Sequence, residues 1–281
     1  MARTRSRAEA IAAVRAVSDP LSRAKLASQL ITESQHTEAE LTRLRRQAID
    51  EAVESGISAT AIADELNLSK GRISQIRSGG PALERIMFGV GPISIGLPLR
   101  PIAGRSLPVI ASEDSIARDE LTKLLDKLNF TVTPEDIDPR KAWRPASPDL
   151  LAICGPKSSP TIAAVLAKDE HLRFTLDEAD HWGIDDIGAG RRYSSPMDEA
   201  EPKLRDVAYV GRLPFDNDRT VFIVAGVHAI GSLGAVHYLR SNLASLYAKV
   251  GERNFSVVIA SDHEAEGTIL RSELACTPAI H

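Results

Sequence analysis

The stretch VFIVAGVHAIGSLGAVHYL, Val221 to Leu239, decides how the larger part of this chain reads. Val221, Phe222, Ile223, Val224 and Ala225 form an unbroken apolar run, as expected of a parallel strand buried on both faces. Gly226, His228, Gly231, Ser232 and Gly234 follow, and then a helical pattern. A strand, a glycine turn and a helix start in that order often receive an anion, because the first helical amides lack intrahelical partners and the helix dipole favours negative charge.

The same signature recurs upstream. DLLAIC (149–154) runs through Gly155-Pro156-Lys157-Ser158-Ser159-Pro160 into the helical stretch TIAAVLAK. A third unit pairs the strand-like LPVIAS (107–112) with the helix EDSIARDELTKLLDKL (113–128). Further strands are expected over DVAYVGRL (206–213), FSVVIA (255–260) and about 268–275, with PFDNDR (214–219) as a hairpin turn. Strands that feed helices predict an α/β domain with an open, mostly parallel sheet covered on both faces, its sites at the carboxyl ends of the strands. The segment 171–203 is polar and long for a connection; within it Arg191, Arg192, Tyr193, Ser194 and Ser195 are candidates to close over an anion.

Before residue 87 the composition changes to Ala, Glu and Arg with helical periodicity. The expected organisation is a helical domain over 1–87, a Gly- and Pro-rich linker or edge strand over 88–106, and a Rossmann-like α/β domain over 107–281. Helices are expected at 7–17, at 21–34, and from Thr37 to Gly56, with Thr37 and Glu40 as a capping box. The most specific motif follows in GISATAIADELNLSKGRISQIRSGG, Gly56 to Gly80. Ser58 caps a first short helix with Ile62, Ala63 and Leu66 on one face. Asn67-Leu68 turns the chain, and Ser69 caps a second helix with Ile73 and Ile76 inward. That second helix, free of acids, carries Ser69, Lys70, Arg72, Ser74, Gln75 and Arg77, donors that reach phosphates and base edges from a recognition helix; Arg72 and Gln75 suit bases, Lys70 and Arg77 phosphates.

This segment resembles the helix-turn-helix of bacterial transcription regulators and of sigma-factor region 4. The resemblance implies double-stranded DNA as partner and a homodimer on a two-fold site. The landmarks GPKSSP, SSPMD, YVGRLP and AGVHAIGSLGAVHYL resemble those of uncharacterised α/β domains that follow such modules in regulators of high-GC bacteria. That likeness implies a ligand-sensing role.

Charge agrees with this division of labour. The chain of 281 residues has a net charge of −4, but residues 1–87 hold 13 Lys/Arg against 11 Asp/Glu, so the rest carries −6. Two isolated cysteines, Cys154 and Cys276, exclude a disulfide framework and a cysteine-rich zinc site. No apolar run approaches the roughly 20 residues that span a bilayer, and the basic N-terminal stretch lacks the apolar core of a secretory signal; a cytoplasmic protein is expected.

Gly155, Pro156, Lys157, Ser158 and Ser159 are expected to form one half of a ligand cleft. Gly226, His228, Gly231 and Ser232 form the other, with Ser194 and Ser195 above. Neither turn is a strict phosphate loop: GxxxxGK[ST] and GxGxxG are absent there, as are GxSxG, HExxH and Cys/His metal spacing. No catalytic set, metal or cofactor is therefore expected. The ligand is expected to be small and anionic, and nucleotide-like. The alternative is a nucleotide- or nucleoside-processing enzyme that uses His228 with Asp198 or Asp262 and is targeted to DNA by the helix-turn-helix.

Overall fold

The computed structural model describes residues 7–79, 82–102, 104, 106–216 and 219–281. The basic residues 1–6, Gly80 at the end of the motif, and the tip of the 214–219 turn lie outside these. The chain divides into two compact units between Ala82 and Leu83.

The first unit holds α1 (Arg7–Ala16), α2 (Pro20–Glu54), α3 (Ala59–Glu65) and α4 (Lys70–Gly79). Asp19 caps α2 by accepting from the Ser22 amide at 2.8 Å, and Pro20 fits the first turn, where no amide partner is needed. The helices expected at 21–34 and from Thr37 are one helix of 35 residues. Neither Gly nor Pro interrupts Leu21–Glu54, and the Thr37 hydroxyl donates to the Glu33 carbonyl at 2.9 Å instead of capping a new start. The helix ends as expected at Gly56, whose φ of +92° lets the Ile57 amide reach back to the Ala52 carbonyl.

Asn67 does the same for α3 with a φ of +52°, and the Leu68 amide donates to Ala63. Ser58 and Ser69 accept from the amides of Ala61 and Arg72, as N-caps should. Ile49 of α2, Ile62 and Ala63 of α3, and Ile73 and Ile76 of α4 form the core of this unit. Each buried isoleucine contributes roughly 1.5–3 kcal/mol. Leu66, expected on the inner face, is exposed.

The second unit runs β1 (Ile93–Pro98), α5 (Ser112–Lys127), β2 (Val132–Ile137), β3 (Asp149–Ile153) and α6 (Pro160–Leu166). Next come β4 (Leu172–Leu176), β5 (Trp182–Asp186), β6 (Arg191–Ser194), β7 (Arg205–Asp216), β8 (Arg219–Gly226), α7 (Ala229–Val250), β9 (Phe255–His263), β10 (Ile269–Leu274) and β11 (Ala279–Ile280). The main sheet has the order β10-β9-β7-β8-β3-β1-β2, with β11 also on β9. β1–β2, β1–β3 and β3–β8 are parallel; β7–β8, β7–β9, β9–β10 and β9–β11 are antiparallel.

The sheet is thus mixed, and the expectation of an open, mostly parallel Rossmann-like sheet is overturned. The reason is local. A short turn makes β7 the antiparallel neighbour of β8, so β7 occupies the slot beside β8. The crossover through α7 must then deliver β9 to the far side of β7. Helices α5 and α7 pack on one face of the sheet. On the other, Ile162, Val165 and Leu166 of α6 and Ile184 and Tyr193 of β5 and β6 join the core.

Two boundaries also differ. The segment 88–106, expected to be a linker or edge strand, contains β1, which lies between β2 and β3 with all six residues buried. The strand expected at 107–112 reduces to a single bridge between Val109 and Arg100. The irregular segment 171–203 forms an antiparallel sheet, β4-β5-β6. No described helix is long and apolar enough to cross a membrane.

Candidate functional site

In the second unit the carboxyl ends of β1, β3 and β8 converge, because the three strands lie side by side and point the same way. A narrow cleft opens there, where the chain leaves β1 and β3 in opposite directions across the sheet. It is lined by Pro98 at the end of β1 and Arg100 beyond it, by Cys154–Ser158 after β3, and by Gly226 at the end of β8 with Val227, His228, Ala229 and Ser232 beyond it. The two turns singled out in the sequence therefore face one another. Asp114 of α5 and the aromatic rings of Phe174 and Trp182 complete the walls.

The two turns differ in what they leave open. At the start of α7 the Gly226 amide donates to Ser232 Oγ at 2.9 Å, and the His228 amide donates to Asp206 Oδ2 at 3.0 Å. A Cβ on Gly226 would come within 2.0 Å of the His228 carbonyl; one on Gly231 would come within 2.4 Å of Asp206 Oδ2. An internal carboxylate already sits at this helix start, so Gly226, Gly231 and Ser232 build a packed corner. Burial raises the Asp206 carboxyl above the usual carboxylate range, against the pull of the Ser195 hydroxyl and of His228. The acceptor expected here from a ligand is supplied by the protein's own Asp206 carboxyl.

The turn after β3 is more open. Gly155 and Pro156 are half-buried, Ser158 lines the cleft, and Lys157 is exposed. Ser159 is buried and caps α6 by accepting from the Ile162 amide at 3.2 Å, which removes it from the ligand set. Ser194 and Ser195 are not among the lining residues. Ser194 pairs with Gly183 in the small sheet, and buried Ser195 caps the single turn Pro196–Asp198.

That turn brings Asp198 to His228, whose Nε2 lies 2.9 and 3.1 Å from the two carboxylate oxygens. Asp262, the other partner considered from sequence, pairs instead with Arg205 and Arg271. At the floor of the cleft Arg100 meets Asp114 at 2.6 Å. Burial raises the Asp114 carboxyl, with Arg100 pulling it back, and burial pushes the Cys154 thiol up to about 12. Cys154 is thus an inert wall atom.

In the first unit, Ser69, Lys70, Arg72, Ser74, Gln75 and Arg77 are all exposed, while Ile73 and Ile76 on the opposite side of α4 are buried. Arg72 reaches Gln75 at 3.3 Å, so the two side chains expected to read bases lie together. Arg77 is committed to Asp50 of α2 at 2.6 Å.

No family model, curated protein or solved structure matches the chain.

Arg100, Asp114, Phe174 and Trp182 were not found from the sequence. The apolar alternation of LRFTL and the short HWGIDDIG and RRYS runs was the signal for the small sheet that carries the two rings, masked by the surrounding Asp and Gly.

Proposed function

We propose that this chain is a sequence-specific DNA-binding transcriptional regulator of the cytoplasm, whose second unit senses a small, anionic, nucleotide-like ligand in the strand-end cleft. One observation carries the reading. Helix α4 is anchored by Ile73 and Ile76 and capped by Ser69, and it offers Lys70, Arg72, Ser74 and Gln75 to solvent with no acidic residue on the helix. Such a row, held by a second short helix across a tight turn, is suited to the major groove. A homodimer belongs to this reading, because units of this kind bind paired half-sites. Ligand binding shifts DNA affinity only through a difference in affinity for two arrangements of the protein.

Selection of bound duplexes from a random pool, followed by anisotropy titration, tests the DNA reading. A preferred site with two-fold symmetry is expected, together with a loss of preference in Arg72→Ala. The absence of any preferred duplex, or an unchanged preference in that variant, overturns it.

The His228–Asp198 contact favours a second reading, an enzyme acting on a nucleotide or nucleoside. Asp198 would orient His228 as a general base towards the cleft. Steady turnover of a nucleotide panel, lost in His228→Ala, would replace the sensor by this reading.

A further inference from the structure

The main sheet ends at β10, and among the described residues no strand lies beyond it. The ladder to β9 fixes which way its backbone groups point. Arg271, Ser272, Glu273 and Leu274 stand opposite Asp262, Ser261, Ala260 and Ile259, and the next residue, Ala275, donates its amide to the Val258 carbonyl at 2.8 Å. In an antiparallel ladder successive residues turn their N–H and C=O groups alternately towards and away from the neighbour. Arg271 and Glu273 therefore share the direction of Ala275, while Ser272 and Leu274 present theirs to the open side. The bulge between Ile269 and Arg271 leaves this run regular. Edges are often shielded by Pro or by a row of Lys; ILRSEL has neither, and its Leu270 is 59% exposed.

The side chains of this edge complement a second copy of themselves. Antiparallel pairing about Ser272 sets Ser272 against its own counterpart, Leu270 against the partner's Leu274, and Arg271 against the partner's Glu273. The Ser272 positions then form a hydrogen-bonded pair, which makes Arg271 and Glu273 a non-hydrogen-bonded pair, the kind whose side chains approach most closely. In the single chain Arg271 already bridges to Asp262 and Glu273 to Arg205, and both remain partly exposed. The pairing joins these bridges into rows of alternating sign. An edge of one sign would repel its copy, whereas this one attracts it.

We propose that β10 is a self-association edge, at which two copies of this chain join antiparallel about Ser272 into one continuous sheet. Such a contact is isologous and closes after two copies. The proposal deepens the regulator reading above by naming the face of its homodimer, and rests on that reading for its consequence on DNA.

Sedimentation equilibrium of the full chain without DNA tests this, and a monomer–dimer equilibrium is expected. Arg271→Glu and Glu273→Arg each weaken it about tenfold, because two opposite-charge cross-strand pairs become like-charge ones. Mixed in equal amounts the two variants associate again, since each meets in the other the sign it lacks; loss of folding cannot produce that recovery. Leu270→Lys weakens association without touching the bridges to Asp262 and Arg205, and decides the matter if the charge variants do not fold. A monomer at every concentration, association unchanged in these variants, or folded charge variants that stay apart when mixed overturns the proposal. Anisotropy on the selected duplex separates the two claims. Association that follows the variants without any duplex preference removes only the regulator, whereas a two-fold duplex preference with association indifferent to the variants removes only this edge.

Discussion

Helix α4 and the strand-end cleft are both rich in hydrogen-bond donors, and the structure treats their charges in opposite ways. On α4, Lys70 and Arg72 stand in solvent with no carboxylate paired to them among the described residues. In the cleft, Arg100 and His228 each have a carboxylate within 3 Å. A surface that meets a polyanion gains by leaving its cations unmatched, because phosphate contacts release condensed counterions. A cleft whose Arg100 is matched by Asp114 and whose His228 is bonded to Asp198 offers hydrogen bonds and shape with little net field from those two side chains, and so favours a ligand of low charge. Two segments of similar composition are thereby sorted by whether acids reach them through the fold.

The hardest way to break this comparison is to open the packed corner. Gly231→Ala is expected to destabilise the second unit by roughly 3 kcal/mol, because the new methyl meets Asp206 Oδ2 and the Val207 carbonyl, neither of which has room to withdraw. Gly155→Ala, whose Cβ would lie 3.8 Å from Ala225, is expected to cost less than about 1 kcal/mol. Both tryptophans lie in this unit, so urea unfolding followed by their fluorescence reads it separately. Equal costs would mean that both turns are open.

On the other side of the comparison, Arg72→Ala is expected to lose about 1–3 kcal/mol of DNA affinity with relaxed sequence preference. Lys70→Ala should weaken all duplexes alike and lower the salt slope by about one. Anisotropy at several salt concentrations measures both, and identical behaviour of the two variants would remove the distinction between base and phosphate contacts.

A smaller effect concerns the buried acid. The folded chain holds a proton on Asp206 at pH values where the unfolded chain, with its ordinary value of 3.8, does not. The stabilisation from this group is complete below that ordinary value and is lost as pH rises through the raised one. Wild type should therefore gain stability relative to Asp206→Asn as pH falls from 7 towards 4. Unfolding series at several pH values check the sign, and a constant difference would show that the carboxyl does not titrate with folding.

The smallest effect is expected at Arg77. Its partly exposed pair with Asp50 contributes at most about 1 kcal/mol to stability, and a guanidinium already engaged by a carboxylate should cost less DNA affinity on removal than Arg72. A larger loss in Arg77→Ala than in Arg72→Ala would reverse the reading of α4.

Helices α3 and α4 and the turn between them were legible apart from Leu66, because their signals are local. Ser58 and Ser69 act within three residues of their own positions, and Asn67 and Gly56 within five. The long α2 was misread for the converse reason. Thr37 and Glu40 carry the letters of a cap, but a cap forms only where the chain leaves the helix, and nothing before Thr37 makes it leave. In the second unit the strands over 149–153, 205–216, 219–226 and 255–263 follow from their apolar runs. β2 does not, since Val132–Ile137 includes Pro134, Glu135 and Asp136 and is stabilised chiefly by pairing with β1.

By itself the sequence determined the capped helices of the first unit, the strand-turn-helix order of the second, and the two turns that end up facing each other. These depend on hydrogen bonds and periodicities spanning a few residues. Only the tertiary structure decided that β7 lies between β8 and β9, that β1 is interior, and that Asp114, Asp198 and Asp206 meet Arg100, His228 and the start of α7. Strand order and ion pairs join residues tens of positions apart, 120 in the case of Arg240 and Glu120, and no local preference encodes which of many such encounters the packed sheet allows. The turn at Gly226–Ser232 has the letters of an anion cradle. Asp206, brought from a neighbouring strand, makes it a closed corner of the cleft.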